Sequence, residues 1–453
     1  MAKYVIDDTT LFAIGDAIRE KEGTSEQIPV TEIASRISAI ESGGSKITYR
    51  TPKEIYEQER PSNWPVLPDP EEGECYFLAM GSKNYLAIPP NGYTYAEYGY
   101  IDETGAFVVE QTQTTQLNTY WGSLGLGSNF ELPTPMQEFM VIRVVGGNPT
   151  MENNTGTSKK TQTILEAKVN LPNATGLFNT KVTRSGTYTG LRFVTLYNKI
   201  SASTTSLAHA FTGCSALKAL IFDKEEDNFF TKSYFNGKID LQAMFNNCYA
   251  LEYAYSITED TNVNVNLSNL FANCYIVKNP LTIESSTVTT ATSLVNYCGA
   301  PELSIDLPAC TSLSNISSYR QSRVKKLNLP KNTNASLFNA GVNAPIEILD
   351  LNLDALGSVN TVVKLGNYSS SGSLLERVVF SENATKAPLS MKMDIASMSL
   401  ASLEEFFNSL PPISNGAIRT ITFVNYSRLP YSVTPPESFN IAINKGYTIA
   451  FAD

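Results

Sequence analysis

The chain has 453 residues, 42% hydrophobic and 17% charged, with a formal net charge of −10 and one histidine. That length predicts about two to four folded units, and the acidic balance without any basic run excludes nucleic-acid binding from the expected functions. No apolar stretch is long enough to span a bilayer or act as a secretory signal, so a chain made and folded in a cytoplasm, without membrane insertion, is expected.

The first element is a helical hairpin over residues 1–45. Asp8, Thr9 and Thr10 offer a cap, Leu11, Ile14 and Ile18 follow at helical spacing, and Gly23 ends the helix. Thr31 caps a second helix carrying Ile33, Ile37 and Ile40, and residues 42–45 (Ser-Gly-Gly-Ser) form a hinge. Helices of about three turns are too short to stand alone in water. These six apolar residues are therefore the candidate attachment and oligomerisation residues, with a homotrimer as the expected assembly. Residues 10–23, TLFAIGDAIREKEG, resemble the amino-terminal helical module of many phage tail and prophage proteins, with Gly15 where that family has alanine. The resemblance implies a virion component attached through its amino terminus to other tail or baseplate proteins.

Residues 46–148 read as a small β-sandwich-like domain. Residues 51–60 suit a short helix with Pro52 in its first turn, and Pro61, Pro65, Pro68 and Pro70 then force an extended path. Strands are predicted over 75–80, 85–88, 93–101, 106–110 and 138–145, separated by turns at 90–92 and 103–105.

Residues 149–453 carry a repeat. Phe211-Thr212-Gly213-Cys214, Phe245-Asn246-Asn247-Cys248, Phe271-Ala272-Asn273-Cys274 and Val295-Asn296-Tyr297-Cys298 share one pattern, the cysteines stepping by 34, 26 and 24 residues. A period of that size marks a solenoid. Apolar pairs at Val169/Leu171, Val194/Leu196, Leu220/Phe222, Tyr255/Ile257, Leu281/Ile283, Ile305/Leu307, Leu327/Leu329, Leu349/Leu351, Val378/Phe380, Ile421/Phe423 and Ile449/Phe451 predict the rungs of one parallel sheet. Eleven rungs at about 4.8 Å would make it roughly 50 Å long. The long step from Phe380 to Phe423 implies an insertion or a further strand. Segments before the cysteines suit a short helix or 3₁₀ turn on the outer face, where Asn246, Asn247 and Asn273 tolerate left-handed backbone. Residues 400–410 form the best helix, stopped by Pro411 and Pro412. The repeated cysteines read as a buried ladder, since no Cys-x-x-Cys pair offers a zinc site and a reducing compartment disfavours disulfides.

Residues 210–220, AFTGCSALKAL, resemble the BspA-type leucine-rich repeat, whose core reads Ala-Phe-x-x-Cys-x-x-Leu. Residues 443–450 resemble the closing coil of such arrays, and residues 55–70 resemble a stretch preceding the repeats in phage-encoded members. The family implies an adhesive or recognition surface.

Catalytic groups are scarce. His209 is the single histidine, so no Ser-His-Asp or Cys-His pair exists without it. Glu404-Glu405 and Asp7-Asp8 are sequence neighbours, which does not set two carboxylates across a sugar bond. Gly146-Gly147 lacks a phosphate-loop fingerprint. No catalytic activity, cofactor or metal is expected. Glu252-Tyr253-Ala254-Tyr255 and the segment with Tyr319, Arg320 and Arg323 bring aromatics and guanidinium groups to the repeat edges, where they either touch a ligand or pack between coils; the receptor-contacting residues stay unassigned. The resulting expectation is a mainly β protein with short helices: helical hairpin, small β-sandwich and leucine-rich-repeat solenoid. Its expected role is that of a structural virion protein at the phage tail or baseplate periphery. It would be made in the host bacterial cytoplasm and would bind a host cell-surface glycan or protein through the repeats. The alternatives are a bacterial surface adhesin with the same repeats and a cell-envelope glycan depolymerase.

Overall fold

A computed structural model describes residues 49–80, 90–91, 94–113, 138–146, 150–151, 164–170, 190–197, 207–223, 239–258, 266–316, 322–334, 346–354, 362–365, 375–395, 397–413, 418–424 and 437–452. The chain divides into two compact units, Met1–Arg50 and Thr51–Asp453. The attachment residues Leu11, Ile14, Ile18, Ile33, Ile37 and Ile40 and the strand expected over 85–88 lie outside the described residues.

The second unit opens with helix α1, Pro52–Glu59. Thr51 caps it: the Thr51 hydroxyl accepts from the Glu54 amide at 3.2 Å, and the Glu54 carboxylate accepts from the Thr51 amide at 2.7 Å. Nine strands follow: β1 Glu74–Met80, β2 Pro90–Asn91, β3 Tyr95–Ile101, β4 Phe107–Gln113, β5 Phe139–Val145, β6 Thr150–Met151, β7 Ile164–Asn170, β8 Phe193–Leu196 and β9 Ala219–Phe222. Seven of them form one sheet in the order β4-β3-β5-β1-β7-β8-β9, while β2 pairs with β6. Pairing is antiparallel as far as β7 and parallel from β7 to β9.

The strands expected as a separate sandwich therefore continue directly into the first solenoid rungs, with β1 hydrogen-bonded to β5 on one side and β7 on the other. The physical reason is visible in the side chains. Residues 75–79 and 164–169 are buried without alternation, as a strand covered on both faces requires. The second cover is the α1 segment, not another sheet. Ile55, Trp64 and Leu67 pack on Tyr76, Leu78, Val141, Leu165, Phe193 and Ile221. Lys168, 8% exposed, reaches out of this layer to the Leu67 carbonyl at 2.8 Å.

The remaining elements are β10 Leu281–Glu284, β11 Glu302–Asp306, β12 Ser322–Asn328, β13 Ile346–Asn352, β14 Val362–Leu365, β15 Leu375–Phe380, β16 Ser390–Asp394, α2 Leu400–Ser409, β17 Arg419–Val424, α3 Phe439–Asn444 and β18 Tyr447–Ala452. They build a β-solenoid of about seven turns. Two parallel sheets run along it, β10-β11-β12-β13-β15 and β14-β16-β17-β18. Ile257 bridges to Ile283 just before the first of them.

The single eleven-rung sheet is corrected here. Val169, Val194/Leu196 and Leu220/Phe222 lie in the seven-stranded sheet, and Ile421/Phe423 and Ile449/Phe451 in the four-stranded sheet, alongside β14 and β16, which the apolar-pair reading missed. The long step after Phe380 is filled by β16, whose Met391 and Met393 are buried. In the last coils helices replace strands. Helix α2 packs on β15, with Phe406 and Phe380 at 6.2 Å, and α3 packs on α2. Ser399 caps α2 and Pro411 follows its end. One apolar core runs from Cys75 to Tyr447.

Candidate recognition surface

Four successive coils turn through residues 208–213, 242–247, 268–273 and 293–297. Every second amide donates to the next coil: His209, Phe211 and Gly213 to the carbonyls of Gln242, Met244 and Asn246, then Ala243, Phe245 and Asn247 to Ser268, Leu270 and Ala272. Asn269, Phe271 and Asn273 repeat this with Thr292, Leu294 and Asn296. The tight path needs left-handed backbone at two places per coil, His209/Gly213, Ala243/Asn247, Asn269/Asn273 and Ser293/Tyr297. Asparagine and glycine tolerate it most readily. Of the short helix or 3₁₀ turn expected here, the structure has turns closed by i→i+3 bonds and interrupted every fourth residue by positive φ.

Inward, Phe211, Phe245 and Phe271 stack at 5.5 and 5.7 Å. The Cys248 thiol donates to the Phe211 carbonyl and the Cys274 thiol to the Phe245 carbonyl, both at 3.2 Å. All six cysteines are unpaired and buried. Burial pushes the Cys298 thiol up to about 12 and raises Cys214, Cys248, Cys274 and Cys310 as well. Thiols held protonated in apolar surroundings are packing groups, not nucleophiles.

Outward, the same turns present a row of amides and tyrosines. Asn273 donates to Asn247 Oδ1 at 2.8 Å, Asn266 to Gln242 Oε1 at 3.1 Å, and Asn315 to the Ser293 hydroxyl at 3.2 Å. Tyr249 is 43% exposed and stacks on Tyr275 at 5.4 Å; Tyr297 continues the row at 6.5 Å. The Tyr275 hydroxyl donates to Asn273 Oδ1 at 3.2 Å. Residues 241–251, 266–277, 288–300 and 309–316 contain no Asp, Glu, Lys or Arg. Sequence reasoning passed over this row, although a tyrosine directly after the cysteine in two successive repeats was its signal.

The five-stranded sheet has a different outer face, built of opposite charges. Glu302, Arg323, Glu347 and Arg377 lie in register on neighbouring strands. Arg323 reaches Glu347 at 2.8 Å, Arg377 reaches Glu405 of α2 at 2.6 Å, and Lys325 reaches Glu302 at 2.6 Å. A second row joins Asn328 to Asp306 at 2.8 Å and Asn352 to Asn328 at 3.0 Å. The hydrogen bond from Arg377 holds Glu405 below its ordinary carboxylate range.

Of the aromatics singled out in the sequence, Tyr253 and Tyr255 pack between coils. Tyr255 is buried, its hydroxyl donating to the Leu220 carbonyl at 2.8 Å, and Tyr253 meets its ring edge-on at 5.2 Å. Glu252 pairs with Lys278 at 2.8 Å. Tyr319 and Arg320 lie outside the described residues, and Arg323 is engaged by Glu347. His209 Nδ1 lies 3.3 Å from the Thr212 hydroxyl, which itself donates to the Ala243 carbonyl. Glu404 is exposed while Glu405 turns to Arg377. Among the described residues no cluster of His, Cys, Asp or Glu could hold a metal, and no helix is long and apolar enough to cross a membrane.

An open cleft of about 550 Å³ lies beside the α1 segment, lined by Trp64, Pro65, Val66, Ile101, Asp102 and Phe139 among others. Its Asp102 carboxylate is consumed by its own turn, accepting from the Thr104 amide at 2.9 Å, the Thr104 hydroxyl at 2.6 Å and the Ala106 amide at 3.0 Å. No protein-family model matches the chain, and comparisons with curated proteins and with solved structures give no match either.

Proposed function

We propose that the chain is a structural virion protein of the phage tail or baseplate periphery, which recognises a host-surface glycan or protein through its solenoid and attaches as a homotrimer through residues 1–45. The observation that carries this reading is the flank of amides and tyrosines on successive uncharged coil segments, with Tyr249, Tyr275 and Tyr297 on three of them and Tyr249 43% exposed. A repeated flank of this kind meets an extended partner at several equivalent points. The resemblance of residues 10–23 to phage tail modules supports the particle assignment. The Phe-x-x-Cys ladder supports reading the coils as BspA-like leucine-rich repeats. The chain works by binding and not by catalysis.

The test compares the full chain with residues 51–453 on a panel of bacterial envelopes. The cut belongs at 50/51, because a cut after residue 148 would strip β1 from β7 and bare an apolar sheet face. Both forms are expected to bind the same envelopes, and light scattering is expected to find a trimer for the full chain alone. Folded 51–453 that binds no envelope bound by the full chain would remove recognition from the solenoid.

A further inference from the structure

Resting on the recognition reading above, we infer that Tyr249, Tyr275 and Tyr297, with Asn247 and Asn273, form the binding site for an uncharged glycan chain lying along the solenoid axis. Three observations on the turn face point there.

The first is chemical. A sugar unit offers hydroxyls that both donate and accept, and C–H faces that are apolar. Asparagine side chains supply both donor and acceptor, and tyrosine supplies an apolar ring with a polar tip. The four coil segments around the row hold no charged residue. Within these segments an anionic polymer finds no lysine or arginine and a basic peptide no carboxylate, and the flanking Lys278 is already paired with Glu252 at 2.8 Å. An uncharged polyhydroxyl chain needs neither.

The second is periodicity. Tyr249 and Tyr275 rings stand 5.4 Å apart, one coil per ring, and the Asn247–Asn273 amides repeat at the same step. An extended polymer with a repeat of comparable length meets equivalent groups on successive coils.

The third is backbone fit. The left-handed position before the cysteine is Gly213, Asn247 and Asn273 in three coils and Tyr297 in the fourth, with φ of 76°, 64°, 62° and 55°. A bulky residue there is strained where glycine is not. In that coil Gly299 occupies the place after the cysteine, where a Cβ would strike the Tyr275 carbonyl. The aromatic row could continue only from position 297, and the chain carries a tyrosine there in a conformation that favours asparagine.

The test uses the full chain on an array of purified bacterial surface polysaccharides, some uncharged and some bearing phosphate or carboxylate groups, with intact envelopes alongside. Wild type is expected to bind uncharged polymers. Tyr249→Ala/Tyr275→Ala is expected to lose affinity at least roughly tenfold, as for removal of aromatic anchors, and Arg323→Ala, on the charged face, to lose none. Tyr297→Asn tests the row without strain, because asparagine suits the backbone there; it is expected to melt no lower than wild type and to bind several-fold less. Binding confined to anionic polymers, or unchanged in folded tyrosine variants, overturns the inference. Envelope binding that survives periodate but not protease also overturns it while leaving recognition standing. Binding to neither glycans nor envelopes overturns both.

Discussion

The Cys274 thiol donates to the carbonyl of Phe245, one coil earlier and 3.2 Å away. Cys248 makes the same bond to Phe211, so at these two coils a fully buried sulfur closes one coil against the one before. Cys274→Ala removes both the donor and the sulfur volume from a fully buried position. The expected cost is about 1–2 kcal/mol, read as a shift of the urea midpoint. Cys274→Val overfills the same slot and is expected to cost at least as much. A midpoint unmoved by either change would show that the ladder does not brace the coils.

The same burial gives a pH dependence. The Cys298 thiol is pushed up to about 12, and Cys214, Cys248, Cys274 and Cys310 are raised by burial too. In the unfolded chain such thiols lose their protons near pH 8.5. Above that value the unfolded state binds fewer protons than the folded one, so stability falls as pH rises towards the folded values. Melting temperature is expected to hold from about pH 7 to about pH 8 and then fall continuously towards about pH 11. Maleimide is expected to label none of the six cysteines at neutral pH until the chain unfolds. A melting temperature that climbs above pH 9 would contradict the assignment.

Much of the fold was legible where side-chain pattern decides it. Pro52 in the first turn of the helix over residues 51–60, and Pro411 after the apolar face of residues 400–410, mark helix ends through proline's fixed φ and missing amide hydrogen. The alternating pairs in β10, β11 and β17 mark strands because one face of each is solvated. The face of the solenoid on which a strand lies is not a local property, so β17 and β18 were assigned to the wrong sheet. Strand β16 was missed because Met391 and Met393 fill its core positions, and methionine carries little strand signal. The sandwich reading failed for a related reason: strands apolar on both faces need two covers, and nothing in β1 or β7 says that the second is the segment around Ile55 and Trp64. The row of amides and tyrosines escaped because Tyr249 and Tyr275 lie beside the apolar positions that define the repeat, not on them.

Glu166 is fully buried, with Arg60 Nε at 2.8 Å and the Tyr56 hydroxyl at 2.7 Å. Arg60 also donates to the Trp64 carbonyl at 3.0 Å and lies over the Tyr56 and Trp64 rings, so one guanidinium fixes the α1 segment to β7. Arg60→Ala leaves a carboxylate buried without its cation, at an expected cost of about 3–5 kcal/mol. Arg60→Met/Glu166→Leu removes both charges and is expected to recover most of that loss. The double-mutant cycle by chemical denaturation checks it. Equal losses in the single and double variants would mean that packing, and not the ion pair, seats the segment.

Gly299 ends the fourth coil's turn with its amide donating to the Cys274 carbonyl at 2.9 Å. A Cβ on Gly299 would fall inside contact distance of the Tyr275 carbonyl and 3.1 Å from the Val277 carbonyl. Both obstacles are backbone, so no side chain can swing aside; the two coils would have to separate, stretching that hydrogen bond. Gly299→Ala is therefore expected to cost about 3 kcal/mol, at the upper end of overpacking, although Gly299 has no positive φ and alanine is ordinarily the milder backbone choice. Because the strain falls on the Cys274–Tyr275 backbone, the Cys274 amide is expected to exchange with deuterium faster in the variant, while amides of β17, in the distant four-stranded sheet, keep their rates. Rapid exchange throughout the chain would mean global unfolding, and unchanged stability would mean that the coils are not packed as tightly as these distances require.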